Sequence, residues 1–470
     1  MSTINTAVAL AYLLAAAGFV VGLHLMNSPA SARRGNQLSS AGMVVAVAVT
    51  LAKVVGDGAI TATGWAVLGA GSAVGAIAGV TMARRVQMTA IPQLVSIFNA
   101  VGGGAAALIA VADSVRSGGS HVSTSVTVAT LLDVIIGAVT FSGSLVAAGK
   151  LQGWIRGEPV VFAGTRVLTM VLAAVAVGGS AYLLTGAGAI WVLIVVLLAA
   201  LVFGVTMVMP IGGADMPVVI SLLNAFTGIA VAMAGFVIDS AALIIAGALV
   251  GASGGILTKL MADAMNRSIL NIVAGGFGTG DTPAPAEGGP GGDVRRVSAD
   301  DAAIQLAYAG KVVIVPGYGL AAAQAQHEVR QLADLLESRG ADVSFAIHPV
   351  AGRMPGHMNV LLAEANVPYT SLREMGEANP QFPTTDVALV VGANDVTNPA
   401  ARHANTPLSG MPILDVDQAS NIIVIKRSMA HGYAGIDNEL YTNPKTSMFF
   451  ADAKQGLGEI VAAVRTLVAS

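Results

Sequence analysis

The chain has 470 residues, 54% of them hydrophobic and 11% charged, with 56 glycines and a net charge of -3. That balance is far from a soluble composition, and most of the apolar excess lies before about residue 270. The lack of cysteine excludes disulfides and Cys-ligated zinc or iron–sulfur sites, and without a dense Lys/Arg patch nucleic-acid binding has no support.

Ala7 to Leu25 is a nearly uncharged run long enough to cross a bilayer. No basic residue precedes it as a signal peptide would require, so it predicts a retained span. Eight further spans follow: Gly42 to Val55, lengthened by polar neighbours, then Gly64 to Ala83, Pro92 to Ala112, Val126 to Ala148, Val167 to Leu184, Ile190 to Met209, Met216 to Ile238 and Ala241 to Met261. Cations set the orientation, because Lys and Arg collect in cytoplasmic loops. With the N-terminus outside, the inner segments carry Arg33, Arg34, Arg84, Arg85, Lys150, Arg156, Arg166, Lys259 and Arg267, and the outer loops only Lys53 and Arg116. Everything after residue 262 is then cytoplasmic.

Gly71, Gly75 and Gly79 in the third span, and Gly247, Gly251 and Gly255 in the ninth, line one helix face with small residues and predict close helix packing. Polar groups inside hydrocarbon are costly unless paired or wetted. Asn99 and Asn224 both fall roughly 10 to 14 Å from the cytoplasmic ends of their helices at about 1.5 Å per residue, so they are candidates to share a site. Ser96, Ser221, Thr140, Ser142 and Ser144 extend the polar path, with Asp133 nearer the outer face. For any single one, an interhelical hydrogen bond is the simpler account. Asp215, just ahead of Met216 and Pro217, reads as a helix N-cap.

The Gly/Pro-rich run from Gly275 to Gly292 predicts a flexible tether. Three parts result: a helical membrane domain over 1–270, a linker over 271–297 and a soluble domain over 298–470.

In the last part strands and helices alternate. Val312 to Val315 is an apolar run suited to a strand buried on both faces, and Gly317-Tyr-Gly-Leu-Ala-Ala322 behind it matches G-x-G-x-x-A, a turn whose backbone can approach a pyrophosphate. An ordinary tight turn would look the same. Asp342 to Ile347 is a second strand, His357 to Asn366 a helix, Val387 to Val391, Ile413 to Val416 and Ile422 to Ile425 further strands, and Ala451 to Val468 a closing amphipathic helix. About 170 residues suffice for one Rossmann-like, doubly wound α/β parallel sheet with its own core. Loops 349–356, 392–399 and 426–435 lie at strand ends, where such sheets bind ligands. The second strand ends in Ile347-His-Pro349, without the acidic residue that would hold an NAD ribose. Lys426 and Arg427 offer a cation pair suited to a 2′-phosphate, which points to NADP(H).

Several long motifs in one order, Gly212-Gly-Ala-Asp-Met-Pro-Val-Val219, Ala264-Met-Asn-Arg-Ser268, Gly317-Tyr-Gly-Leu320, His348-Pro-Val-Ala-Gly-Arg-Met-Pro-Gly-His-Met-Asn-Val-Leu-Leu-Ala-Glu-Ala365, Gly392-Ala-Asn-Asp395 and Lys426-Arg-Ser-Met429, resemble the beta-subunit family of the proton-translocating nicotinamide nucleotide transhydrogenases. The likeness runs through essentially the whole chain. It implies hydride transfer between NAD(H), held by a separate alpha subunit, and NADP(H) on this chain, coupled to proton passage, in a heteromer built on a dimer in a bacterial inner membrane. By the same likeness Gly317, Tyr318, Gly319 and Leu320 contact the pyrophosphate. Arg353 reaches a phosphate from the loop Ala351, Gly352, Met354, Pro355 and Gly356. Asp395 lies near the nicotinamide beside Gly392, Ala393 and Asn394 and is the residue placed with catalysis. Lys426, Arg427 and Ser428 grip the 2′-phosphate, and Gly432, Tyr433, Ala434 and Gly435, with Asp437 behind them, form a lid. Asp215 and Arg267 fall in motifs that resemble the family's coupling region, while Asn99, Asn224, Asp133 and Ser142 are assigned to the proton path from their place in the spans.

Many relatives have histidine where this chain has Asn99. Asparagine cannot carry a proton in that way, so the titrating group is expected from an alpha-type partner, with Asn99 and Asn224 orienting it or a water. Two other readings compete: a channel or transporter regulated by an NADP(H)-sensing domain, and a membrane scaffold with a vestigial nucleotide fold.

Overall fold

The computed structural model describes residues 3–26, 29–58, 60–117, 123–156, 159–162, 164–186, 190–212, 215–265, 268–270, 272, 294–354, 356–404, 406, 408–432 and 434–469. The tether and Arg267 lie outside these, as do Pro355 and Tyr433. The described residues fall into two compact units, one helical and one built on a sheet.

Among the described residues nine helices are long and apolar enough to cross a membrane. They are α1 (Thr3–Leu25), α2 (Pro29–Asp57), α3 (Ala62–Arg85), α4 (Ile91–Ser117), α5 (Thr124–Gln152), α6 (Thr165–Leu184), α7 (Ile190–Val208), α8 (Met216–Val237) and α9 (Ala241–Ala264). This is a membrane protein. Each helix contains one expected span, because an unbroken apolar run must satisfy its own backbone in lipid. Helix α5 is the central one, packed by α4 on one side and α7 on another. Small residues permit this: a Cβ added to Gly137 would come 2.5 Å from the Gly103 carbonyl. Ala110, Leu131, Val134, Val192, Leu193 and Val196 close an apolar core among the three helices.

The two glycine stripes differ. A Cβ on Gly228 would lie 2.7 Å from the Gly247 carbonyl, so α9 packs backbone to backbone on α8 there, while Gly255 meets nothing within 4 Å. Gly71, Gly75 and Gly79 also meet nothing within 4 Å, and α3 has no buried residue. Spacing prepares a face for close approach, but neighbours decide whether it is used.

The second unit carries a six-stranded, fully parallel sheet in the order β3-β2-β1-β4-β5-β6. The strands are β1 (Lys311–Pro316), β2 (Asp342–Ile347), β3 (Leu372–Glu374), β4 (Val387–Val391), β5 (Asn421–Lys426) and β6 (Thr446–Phe450). Burial of β1, β2 and β4 on both faces accounts for their continuous apolar runs. Before β1, α10 (Ala299–Ala307) starts on a capping box in which Ser298 and Asp301 satisfy each other's amides. After it come α11 (Tyr318–Ala322), α12 (Gln326–Glu337) and α13 (His357–Glu364), and the chain closes on the long helix Ala453–Ala469, which packs on α10 and α12. Helix α13 ends at Glu364, two residues short of the expected end, because Asn366 takes the left-handed conformation at φ 59.

Ile413 to Val416 is not a strand. Leu414 and Val416 are buried against the sheet core, but the backbone between and before them is held by one side chain: Asn379 donates to the Ile413 carbonyl (2.9 Å) and accepts from the Asp415 N–H (3.1 Å). An apolar run signals burial, and here an asparagine supplies the partners that a neighbouring strand would. Strands β3 and β6 were absent from the sequence reading; β3 has only three residues.

Candidate functional site

The strand order reverses direction between β1 and β4, which opens a crevice at their carboxyl ends. Two turns meet there. The Gly317 N–H donates to Val391 O (2.9 Å) and the Gly319 N–H to Gly392 O (2.9 Å). A Cβ on Gly319 would lie 2.6 Å from the Gly392 Cα, one on Gly317 would collide with the Ala393 backbone, and Gly392 itself has φ +66. The match to G-x-G-x-x-A therefore reflects backbone contact that leaves no room for side chains. Leu320 and Ala321 point into the core.

Following β2, the turn through Ala351, Gly352, Arg353 and Met354 is organised by His357. The Arg353 N–H donates to His357 Nδ1 (3.0 Å), and Gly352, at φ +105, lies so close that a Cβ would be 2.5 Å from that nitrogen. The Arg353 guanidinium stacks over the Tyr318 ring at 4.3 Å, and Tyr318 meets His357 edge-on at 6.4 Å. Burial, and then the Arg353 charge, push His357 down to about 4, so it is neutral and free to accept. Gly356, at φ +66, opens α13.

Beyond the end of β4, Asp395 bonds the segment that carries Gly432, Ala434 and Gly435. Its Oδ2 accepts the Ala434 N–H (3.1 Å), and Gly432 sits so near that any Cβ would strike the carboxylate. Gly435 has φ +70, and Asp437 pairs with His431 (3.1 Å) while its carbonyl accepts from Asn398 (3.0 Å). Lys426 ends β5. Burial lowers its pKa, opposed by the Asp395 and Asp437 charges. Its ammonium donates to Ala430 O and lies 4.6 Å above the Tyr441 ring. Arg427 and Ser428 are exposed.

Beneath this rim lie residues that sequence reasoning missed. Asn438 is buried and donates to Asn394 O (3.0 Å), and Tyr441 is 2% exposed, with its hydroxyl 2.9 Å from the Asn394 amide. Burial raises the Tyr441 pKa, keeping the phenol protonated. Polar side chains in the short stretch Asn438-Glu-Leu-Tyr-Thr442 were the available signal.

In the helical unit Asn99 is buried, and its Nδ2 donates to Ile220 O (3.3 Å) on α8. Thr227 returns a hydrogen bond to Asn99 O (3.3 Å). Asn224, one turn beyond Ile220, is half-buried. The two asparagines share a level without bonding to each other. Ser96 donates to Ser144 O (2.8 Å) across α4 and α5, Ser142 to Ala138 O within its own helix (3.1 Å), and Ser221 to Gly254 O (3.3 Å). Asp133 is fully buried, and neither carboxylate oxygen has a hydrogen-bond partner among the described residues. Asp215 is half-buried directly ahead of α8.

A family model described as NAD(P) transhydrogenase beta subunit matches residues 8–463, both units together. The chain belongs to the NAD(P) transhydrogenase beta subunit family. Two proteins named NAD(P) transhydrogenase subunit beta, both from Rhodospirillum rubrum and one of them from strain ATCC 11170, are each 48% identical to it over 466 residues, 97% of this chain and 98% of the relative. Membership implies an oxidoreductase that uses nicotinamide nucleotides, and a beta subunit implies an alpha partner.

Proposed function

We propose that this chain binds NADP(H) at the carboxyl ends of β1, β4 and β5, exchanges hydride with NAD(H) on an alpha subunit, and couples that exchange to proton passage through its helices. The observation that carries the reading is the close contact of the Gly317–Gly319 turn with Gly392, which sets two glycine turns side by side at the carboxyl ends of β1 and β4, where the strand order reverses. Such a switch-point crevice fits a pyrophosphate, and the half-buried Lys426 at the next strand end fits the extra phosphate that separates NADP(H) from NAD(H).

Bound there, the nicotinamide supplies the hydride chemistry, and no protein nucleophile is required. Arg353, braced by Tyr318 and His357, binds phosphate. Lys426, with Arg427 and Ser428, selects the 2′-phosphate. Asp395 holds the lid through Ala434 and sits at the nicotinamide side, where closing the lid excludes water. In the membrane unit Asn99, Asn224, Ser142 and Asp133 line the proton path, with the titrating group opposite the asparagines given by the alpha partner. Asp215 and Arg267 carry coupling, which by linkage is a reciprocal change in NADP(H) affinity with protonation. The assignment of 1–270 to the membrane, 271–297 to a tether and 298–470 to NADP(H) binding, with the N-terminus outside and the last part cytoplasmic, belongs to this reading, as does a heteromer built on a dimer in the bacterial inner membrane.

The test reconstitutes the chain with its alpha partner in sealed vesicles and follows hydride transfer to an NADP analogue together with internal pH. Joint hydride and proton movement supports the proposal. Proton movement gated by NADPH without hydride transfer would make the chain a regulated channel instead.

A further inference from the structure

Lys426 would be a poor phosphate ligand if its ammonium wandered, since it ends a flexible four-carbon stem. Its surroundings restrain it. Of its three N–H donors one is directed to Ala430 O. A second is decided by the Asn394 amide: with Nδ2 facing Lys426 and the Gly432 N–H, donors would oppose donors. Turned the other way, Oδ1 accepts from Lys426 (3.2 Å) and from Gly432 (2.7 Å), and Nδ2 donates to the Tyr441 hydroxyl (2.9 Å), with the Asn438 Nδ2 at 3.2 Å as the one opposed donor. That hydroxyl in turn donates to Ala393 O (3.3 Å), and the Tyr441 ring lies below the ammonium at 4.6 Å.

We propose that Tyr441 is the positioning residue for 2′-phosphate recognition: through Asn394, through its ring and through its hydroxyl, 3.5 Å from the Lys426 Nζ, it fixes where that ammonium sits. The inference rests on Lys426 as the phosphate ligand. It also ties the lid to that ligand, because Asn394 Oδ1 is shared between Lys426 and the Gly432 N–H. Tyr441 itself is buried.

The experiment measures NADPH and NADH binding to the detergent-solubilised full chain, and KM and kcat of the assembled complex. With Tyr441→Phe, NADPH binding weakens roughly three- to tenfold, the value of one neutral hydrogen bond, NADH binding is unchanged, and KM for NADP+ rises while kcat holds. Equal weakening of both nucleotides, or of neither, overturns the proposal, because a structural role would not distinguish them. Lys426→Ala separates the two levels of argument. If it leaves NADPH preferred over NADH to the same degree, Lys426 is not the phosphate ligand and the assignment on which the inference rests fails; if it removes the preference and Tyr441→Phe does not change it, only the positioning role fails. Adding Tyr441→Phe to Lys426→Ala alters the preference no further. Should Tyr441→Phe unfold, Asn394→Ala cuts the same link and is judged by the same ratio.

Discussion

Acid should unlock the arginine turn through His357. The ring is 1% exposed, its Nδ1 accepts the Arg353 N–H, and its Nε2 has no partner among the described residues. Protonation would remove the acceptor and place a buried cation beside a guanidinium. Its pKa falls from 6.5 to about 4 on folding, so this contribution is fully present above about pH 6.5 and is lost as pH falls from there toward 4. At about 1.4 kcal/mol per pH unit, lowering the pH from 7.5 to 5 costs roughly 2 kcal/mol. For a unit of this size that is a drop of roughly 4–8 °C in melting midpoint. His357→Asn keeps an acceptor for Arg353 but cannot gain a charge. Scanning calorimetry of the solubilised chain at pH 7.5, 6 and 5 should show the wild type losing this much more than the variant, with NADPH retention falling in parallel. Wild-type and variant midpoints that shift together across the range would refute the reasoning, whatever their offset.

Gly319→Val places a branched side chain where even a Cβ meets the Gly392 Cα at 2.6 Å; NADPH retention should be lost, and the melting midpoint should fall by several degrees as the turns are forced apart. Asp395→Asn keeps the volume but weakens a charge-assisted bond to the Ala434 N–H; roughly tenfold lower kcat is expected in stopped-flow hydride transfer, with hydrogen exchange at 432–435 accelerated. Asp133→Leu replaces an unpartnered buried carboxyl; the helical unit should become more stable by about 1–3 kcal/mol while vesicle proton uptake stops. A loss of both stability and uptake would mark Asp133 as a structural group. Asp215→Asn should reduce proton movement per hydride transferred without changing NADPH binding, measured in the same vesicles.

Much of the architecture is local physics. Nine apolar runs became nine helices because lipid leaves the backbone no other partner, and Val312 to Val315 and Val387 to Val391 became central strands because continuous apolarity suits a sheet covered on both faces. Motifs likewise marked the rim of the candidate site, since turns at strand ends need particular residues. Tertiary structure alone decided where burial did not mean a strand, as at Leu414 and Val416, whose neighbours Ile413 and Asp415 have their backbone completed by Asn379. Only the folded chain could show that the α8–α9 glycines meet while those of α3 do not. The supports of the site, Tyr441 below Lys426 and His357 behind Arg353, act through contacts between residues 15 and 4 positions apart whose directions no spacing rule supplies. Periodicity records which face of an element is covered, whereas aim and partnership arise when distant segments are brought together.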